Sequence, residues 1–123
     1  MSSILLSNNV TVCDNMFKHG MGLTFRFPKK PFAYVFVFKK PVKLAITMVF
    51  VFYPIDILFL DNKNTIVEIV SSLRPFRNYF PKNYFSTFIE LPADTVTKHN
   101  IKLGSKISWS ANSVTLDRGV YKN

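Results

Sequence analysis

Cysteine is nearly absent from this chain. Cys13 is the only one in 123 residues, which excludes an intramolecular disulfide and a cysteine-rich zinc site and points to a reducing, cytoplasmic setting. Glycine is scarce too. The four glycines, at 20, 22, 104 and 119, compose neither a glycine-rich phosphate loop nor a dinucleotide-binding fingerprint. The only histidines are His19 and His99, and no ligand spacing joins them to carboxylates, so neither a metal nor a cofactor is expected. Cys13, Asp14 and His19 lie close in sequence without a nucleophile elbow or oxyanion turn beside them. Paired catalytic carboxylates are also missing, and the sequence leans away from an enzyme. The longest apolar stretch, Leu44 to Leu60, is interrupted by Pro54 and Asp56 and falls short of the ~20 residues of a spanning helix. Residues 1 to 10 have neither the positive start nor the apolar run of a secretory signal. A soluble, intracellular protein is the expectation.

Acids are the other shortage. Seven Asp and Glu face 16 Lys and Arg, for a formal net charge of +9, and the imbalance is local. No carboxylate occurs between Asp14 and Asp56, where Lys18, Arg26, Lys29, Lys30, Lys39, Lys40 and Lys43 fall. A second acid-free interval, between Glu68 and Glu90, holds Arg74, Arg77 and Lys82. Such a distribution suits a polyanionic partner. Lysines 39, 40 and 43 also suit a plainer role as gatekeepers flanking hydrophobic strands.

What the chain has in abundance is phenylalanine, 13 residues, arranged in strand-like runs. Ile4 to Leu6 and Val10 to Cys13 read as short strands around a turn at Ser7-Asn8-Asn9, and Asp14 is placed to cap a short helix ending near His19. Phe25 to Phe32, with Pro28 and Pro31 around Lys29-Lys30, is loop chemistry. Tyr34 to Phe38 is apolar at every position, so it predicts a strand covered on both faces and ended by Lys39-Lys40-Pro41. Lys43 to Tyr53 is the most β-prone stretch and belongs at the centre of a sheet or at a subunit interface. Ile55 to Leu60 and Thr65 to Val70 predict a hairpin about Asp61-Asn62-Lys63-Asn64. Residues 71 to 83 form an irregular loop. A strand over Tyr84 to Leu91 follows, then a short helix capped by Asp94 and ending at His99. Two strands, Lys106 to Ser110 and Ser113 to Leu116, complete the chain. The expected architecture is one mainly β domain over residues 1 to 123: a compact closed barrel or sandwich-like antiparallel sheet with two short peripheral helices.

A spaced set of these residues resembles the prokaryotic family called domain of unknown function 192. Gly22-Leu23-Thr24-Phe25-Arg26 stands where that family has Gly-Leu-Met-Phe-Arg, and Tyr34 to Phe38 is similar to its aromatic strand. Pro54-Ile55-Asp56-Ile57-Leu58-Phe59-Leu60-Asp61 matches its Pro-Leu-Asp-Ile-Ile-Phe-Ile-Asp, and Phe88 to Gly104 fits its last strand, helix and glycine turn. The similarity covers about residues 10 to 107. One departure is chemical: the family's Met-Lys-Asn-Thr is Met48-Val49-Phe50-Val51 here, replacing two polar positions by apolar ones. The resemblance implies a β-barrel-like fold with a peripheral helix and no established activity.

Two candidate sites follow. Arg74, Phe76, Arg77, Tyr79, Phe80 and Lys82, with Arg26, Lys29 and Lys30 as a second wall, have the composition of a surface for RNA or single-stranded DNA, where cations follow phosphates and rings stack on bases. Asp56 interrupts an apolar strand, where a buried charge is costly unless paired, and Arg26 is its expected partner. That pair is either structural or the centre of a small-ligand or enzyme site. The third expectation is an interaction module that forms a homo-oligomer or docks a partner through its apolar strands and basic rim.

Overall fold

The computed structural model describes residues 3–13, 32–47 and 53–117. Within them lie strands β1 (Ser3–Ser7), β2 (Val10–Cys13), β3 (Ala33–Val42), β4 (Ile46–Thr47), β5 (Ile55–Leu60), β6 (Ile66–Leu73), β7 (Asn78–Tyr79), β8 (Phe85–Pro92), β9 (Lys106–Trp109) and β10 (Val114–Asp117), with one helix, α1 (Thr95–His99), between β8 and β9. They form a five-stranded sheet in the order β2-β3-β8-β5-β6, a three-stranded sheet β1-β10-β9 and a small β4-β7 ladder. The arrangement is sandwich-like rather than a closed barrel. The first expected helix, from Asp14 to His19, lies outside the described residues.

Apolar side chains on both faces of the large sheet explain the layers. Ala33, Val35, Leu58, Leu60, Ile89 and Leu91 pack against Leu6, Ile107, Val114 and Leu116 of the three-stranded sheet. The opposite face carries Tyr34, Phe36, Ile55, Ile57, Phe59, Phe85 and Phe88, with Ile46 of β4 and Tyr79 of β7 against it. Its rings interlock: Phe36 stacks on Phe88 at 4.5 Å, and Phe59 lies 4.8 Å from Phe85. Such pairs add about 0.5–1.5 kcal/mol each beyond burial. Every residue of β5 is buried, as expected of a strand between β8 and β6.

The 55–70 hairpin forms as the sequence predicts. Asp61 Oδ1 accepts from the N–H groups of Lys63 (2.8 Å) and Thr65 (3.0 Å), and Asn64 adopts the left-handed conformation (φ 63°) that asparagine tolerates. Four expectations change. β1 and β2, adjacent in sequence, do not pair with each other: β1 joins β10, and β2 lies parallel to β3, so the sheet is mixed rather than wholly antiparallel. β3 continues through Lys39-Lys40-Pro41 to Val42. The pairing jumps from Val37↔Thr87 to Val42↔Phe85, leaving Lys39, Lys40 and Pro41 displaced outward and exposed, so the proline never has to donate to the ladder. Lys43 to Ala45 is irregular, only Ile46–Thr47 of the β-prone stretch is strand, and residues 48–52 are outside the description. Finally, the 71–83 loop is shorter than expected, because β6 runs to Leu73 and Asn78–Tyr79 pairs with β4.

Helix α1 forms where expected, but Asp94 does not cap it. Asp94 is itself left-handed (φ 74°) and makes no side-chain cap. The carboxylate that caps α1 comes from β5: Asp56 Oδ2 accepts from Val96 N–H at 2.8 Å. Beyond the helix, Gly104 (φ 87°) allows the turn whose N–H reaches the Ile66 carbonyl, tying the two larger sheets together.

Candidate nucleic-acid interface

Three carboxylates sit inside otherwise apolar strands, and two of them build the site. Asp56 is fully buried on β5. Opposite it, β6 carries an extra residue: Ile55 pairs with Leu73 and Ile57 with Val70, so Ser71 and Ser72 together face Asp56 in a β-bulge. Ser72 takes a left-handed conformation (φ 54°), and its N–H, turned out of the ladder, donates to Asp56 Oδ1 at 2.7 Å. With Val96 on Oδ2, both oxygens are held by backbone donors, which makes a buried carboxylate tolerable. Asp56 therefore fixes the end of β6 and the start of α1. Arg26, its expected partner, lies outside the described residues.

Glu68, buried on β6, does the same for the basic and aromatic loop. Its Oε1 accepts from the N–H groups of Lys82 and Asn83, both at 3.0 Å, and from Asn83 Nδ2 at 2.9 Å, while Oε2 accepts from the Tyr79 hydroxyl. Burial pushes the Glu68 carboxyl up. The donors from Tyr79, Asn83 and Lys82 outweigh it, and the group stays ionised below its ordinary range. Burial, reinforced by the Glu68 charge, raises the Tyr79 phenol to about 12. The Tyr79 ring stacks on Phe59 at 5.8 Å. Tyr79 is thus the loop's anchor, half-buried rather than presented at the surface.

The other candidates on this loop are exposed. Arg74, Arg77 and Lys82 reach solvent, as do Phe76 (57 % accessible) and Phe80 (68 %). Phe76 adopts φ 62°, unusual for an aromatic residue, at the turn between Arg74 and Arg77. Register brings a second basic segment alongside. Ile46↔Tyr79 and Val42↔Phe85 place Lys43 to Ala45 beside residues 80 to 84, and Lys43 Nζ sits 5.1 Å from the centroid of the exposed Tyr84 ring. Of the ten described cations, Lys39, Lys40, Lys43 and Lys82 flank, with Phe80 and Tyr84, the end of the large sheet where β3 finishes and β8 begins, while Arg74, Phe76 and Arg77 lie on the connection that leaves β6 at the opposite end, beside Ile55 and Pro92. The other four, Lys63, Lys98, Lys102 and Lys106, lie in stretches that also carry Asp61, Asp94 and Asp117. Arg26, Lys29 and Lys30 fall outside the described residues. Between the end of β6 and β7 runs a shallow groove of about 320 Å³, lined by Val70 to Arg74, Arg77 and Asn78.

The family follows from the chain itself. Residues 3–109 match the model of DUF192, described as "Uncharacterized ACR". The chain belongs to the DUF192 family. It is 30% identical over 107 residues to a UPF0127 protein of Pyrococcus abyssi, covering 87% of this chain and 91% of that one. A UPF0127 protein of Thermococcus sibiricus is 31% identical over 105 residues, 84% of this chain and 67% of the relative. The same fold recurs in a crystal structure of a candidate transcription regulator from Sinorhizobium meliloti (TM-score 0.75, 22% identity, 79% of this chain and 78% of that one). It recurs also in a protein of unknown function from Novosphingobium aromaticivorans (TM-score 0.76, 18% identity, 81% and 74%). These two share the DUF192 chain's fold. They do not extend to its chemistry.

Sequence reasoning singled out Asp56 because a carboxylate interrupts an apolar strand. The same signal marks Glu68 in Ile66-Val67-Glu68-Ile69-Val70 and Glu90 in Phe88-Ile89-Glu90-Leu91, and it went unused. Ser71, Ser72 and Asn78 carried no signal of their own, because only the bulge and the β4-β7 pairing make them line a groove. Among the described residues no cluster of His, Cys, Asp and Glu is placed to hold a metal ion, and no helix is long and apolar enough to cross a membrane.

Proposed function

We propose that this domain is a non-enzymatic binding protein for single-stranded nucleic acid, RNA or DNA, held along the basic and aromatic segment 74–84 and the lysines beside it. One observation carries the reading. The β4-β7 pairing and the end of the β3-β8 ladder bring parts of both acid-free intervals together, so that exposed Lys39, Lys40 and Lys43 lie beside Lys82, Phe80 and Tyr84, which belong to the same segment as exposed Arg74, Phe76 and Arg77. Cations spaced along a surface track phosphates, and exposed rings stack on bases of any identity, the combination used by sequence-tolerant single-strand binders. Buried Glu68 supports it by fixing the loop without a surface acid of its own.

The test is fluorescence anisotropy of labelled oligo-uridine and oligo-thymidine at two salt concentrations. Each single-strand phosphate contact contributes about −0.7 to the slope of log K against log salt, so six cations set a limit of about −4. The expected result is binding at low salt, a clear negative slope, and loss of affinity on replacing Phe76, Phe80 or Tyr84 by alanine. No binding at low salt overturns the reading, as does a slope unaffected by glutamine at all six cations.

A further inference from the structure

The groove beside the end of β6 has walls that are unusually well fixed for a surface feature. On one side stand Ser71 and Ser72, whose bulge is pinned from below by Asp56 through the Ser72 N–H. On the other stand Arg77 and Asn78, the latter paired with Thr47, next to Tyr79, which is held by Glu68 and stacked on Phe59. Arg74 also lines the groove, with Val70 and Leu73, which pack against the core. The polar residues of its lining are Ser71, Ser72, Arg74, Arg77 and Asn78, whose side chains all carry donors, and none is acidic. At about 320 Å³ the groove is at the small end of the range for ligand sites, ~300–1,000 Å³.

We infer that this groove is the seat for a single phosphoryl group, recognised by Arg74 and Arg77 as charged donors and by Ser71, Ser72 and Asn78 as neutral ones. A tetrahedral oxyanion fits this lining for two reasons. Guanidinium groups offer paired, planar donors to phosphate oxygens, and hydroxyl and amide donors accommodate the remaining oxygens without adding charge. The buried carboxylate of Asp56 does not oppose the anion directly, because both of its oxygens face N–H donors from Ser72 and Val96. Walls held in place before binding avoid the ordering cost that usually weakens exposed loops. This assignment rests on the nucleic-acid reading for its biological source, the phosphodiester of a bound strand, but the seat itself is testable without one.

Two measurements separate the two claims. In the first, the 15N-labelled full chain is titrated with inorganic phosphate, with sodium chloride at matched ionic strength as control. Saturable shifts confined to residues 70 to 78, absent with chloride and weakened about tenfold or more in Arg74→Gln/Arg77→Gln, are expected. Shifts spread over all exposed lysines, or identical with chloride, overturn the seat. The Ser71→Ala/Ser72→Ala variant gives a second check that leaves all charge in place, and unchanged phosphate affinity there removes the hydroxyls from the assignment. In the second, oligo-uridine binding is measured for wild type and Arg74→Gln/Arg77→Gln. Loss of one seated phosphate lowers the magnitude of the salt slope by about 0.7. If wild type binds the oligonucleotide and the double variant keeps the full slope, the seat is wrong and the nucleic-acid reading stands. If phosphate titrates the groove while oligonucleotide fails to bind, the seat stands and the source is a free or monoester phosphate.

Discussion

Replacing Glu90 by glutamine should make the stability of this protein far less sensitive to pH between about pH 5 and pH 8. Glu90 lies on β8 between Tyr34 of β3 and Ile57 of β5, is 6 % exposed, and has an Oε1 with no hydrogen-bond partner among the described residues. Burial alone raises its carboxyl from 4.5 to about 8. The folded protein therefore retains a proton that the unfolded chain releases above about pH 4.5, and stability falls as pH rises through that window. The gap between 4.5 and about 8 amounts to about 5 kcal/mol in full, most of which is lost between pH 5 and pH 8. The assay is urea denaturation of wild type and Glu90→Gln across that range. Glutamine keeps the shape and cannot ionise, so other titrating groups cancel in the difference between the two profiles. A constant difference would refute the reasoning, since it would mean that Glu90 titrates alike in folded and unfolded chains.

Asp56→Ala should destabilise the domain by about 2–4 kcal/mol, because it takes the acceptor from the N–H groups of Ser72 and Val96 together, and Asp56→Asn by less, since one carbonyl oxygen remains to accept; chemical denaturation measures both. Glu68→Gln should loosen residues 79 to 83 while leaving the large sheet intact, read as faster amide exchange at Lys82 and Asn83 than in β5. In wild type, Glu68 is held below its ordinary value of 4.5, so its contribution is present above that pH and disappears as pH falls through its folded value, a loss the variant should not show. At the alkaline end Tyr79, raised from 10.0 to about 12, keeps its proton in the folded protein while the unfolded chain releases it, so stability should fall as pH rises between those values, and Tyr79→Phe should remove the step near the upper value from an absorbance titration. Phe80→Ala and Tyr84→Ala should leave the melting temperature within about a degree, because both rings are mostly exposed, yet weaken oligonucleotide binding by about 1–3 kcal/mol for each base that was stacked.

Local chemistry made much of this domain legible before any coordinates. Alternation and apolar runs are written in single strands, so the 55–70 hairpin, the doubly covered β3, the strand over 85–92, the short helix and the 106–117 hairpin could be read directly. The two acid-free intervals were visible in the same way, as was the family resemblance carried by Pro54 to Asp61. Whether those intervals meet could not be read, because it depends on Ile46 pairing with Tyr79, a choice made between segments more than thirty residues apart. Tyr79 shows the limit at one residue. Its composition-level role was a stacking ring, and the fold turned that ring onto Phe59 and its hydroxyl onto Glu68.

The sequence by itself determined that the protein is mainly β, basic, poor in cysteine and glycine, and marked by carboxylates inside apolar strands. Those are properties of residue types and their spacing. Tertiary structure alone decided what the carboxylates are for. A buried charge must find donors wherever the chain brings them, and here Asp56 found them in a bulge on β6 and at the start of a helix forty residues on, while Glu68 found them in the loop that carries the exposed rings and cations. The scarcity of acids in the sequence is therefore sharper in the fold: Asp56, Glu68 and Glu90 are buried inside the sheet, and the segment from Arg74 to Tyr84 presents arginine, lysine and aromatic side chains.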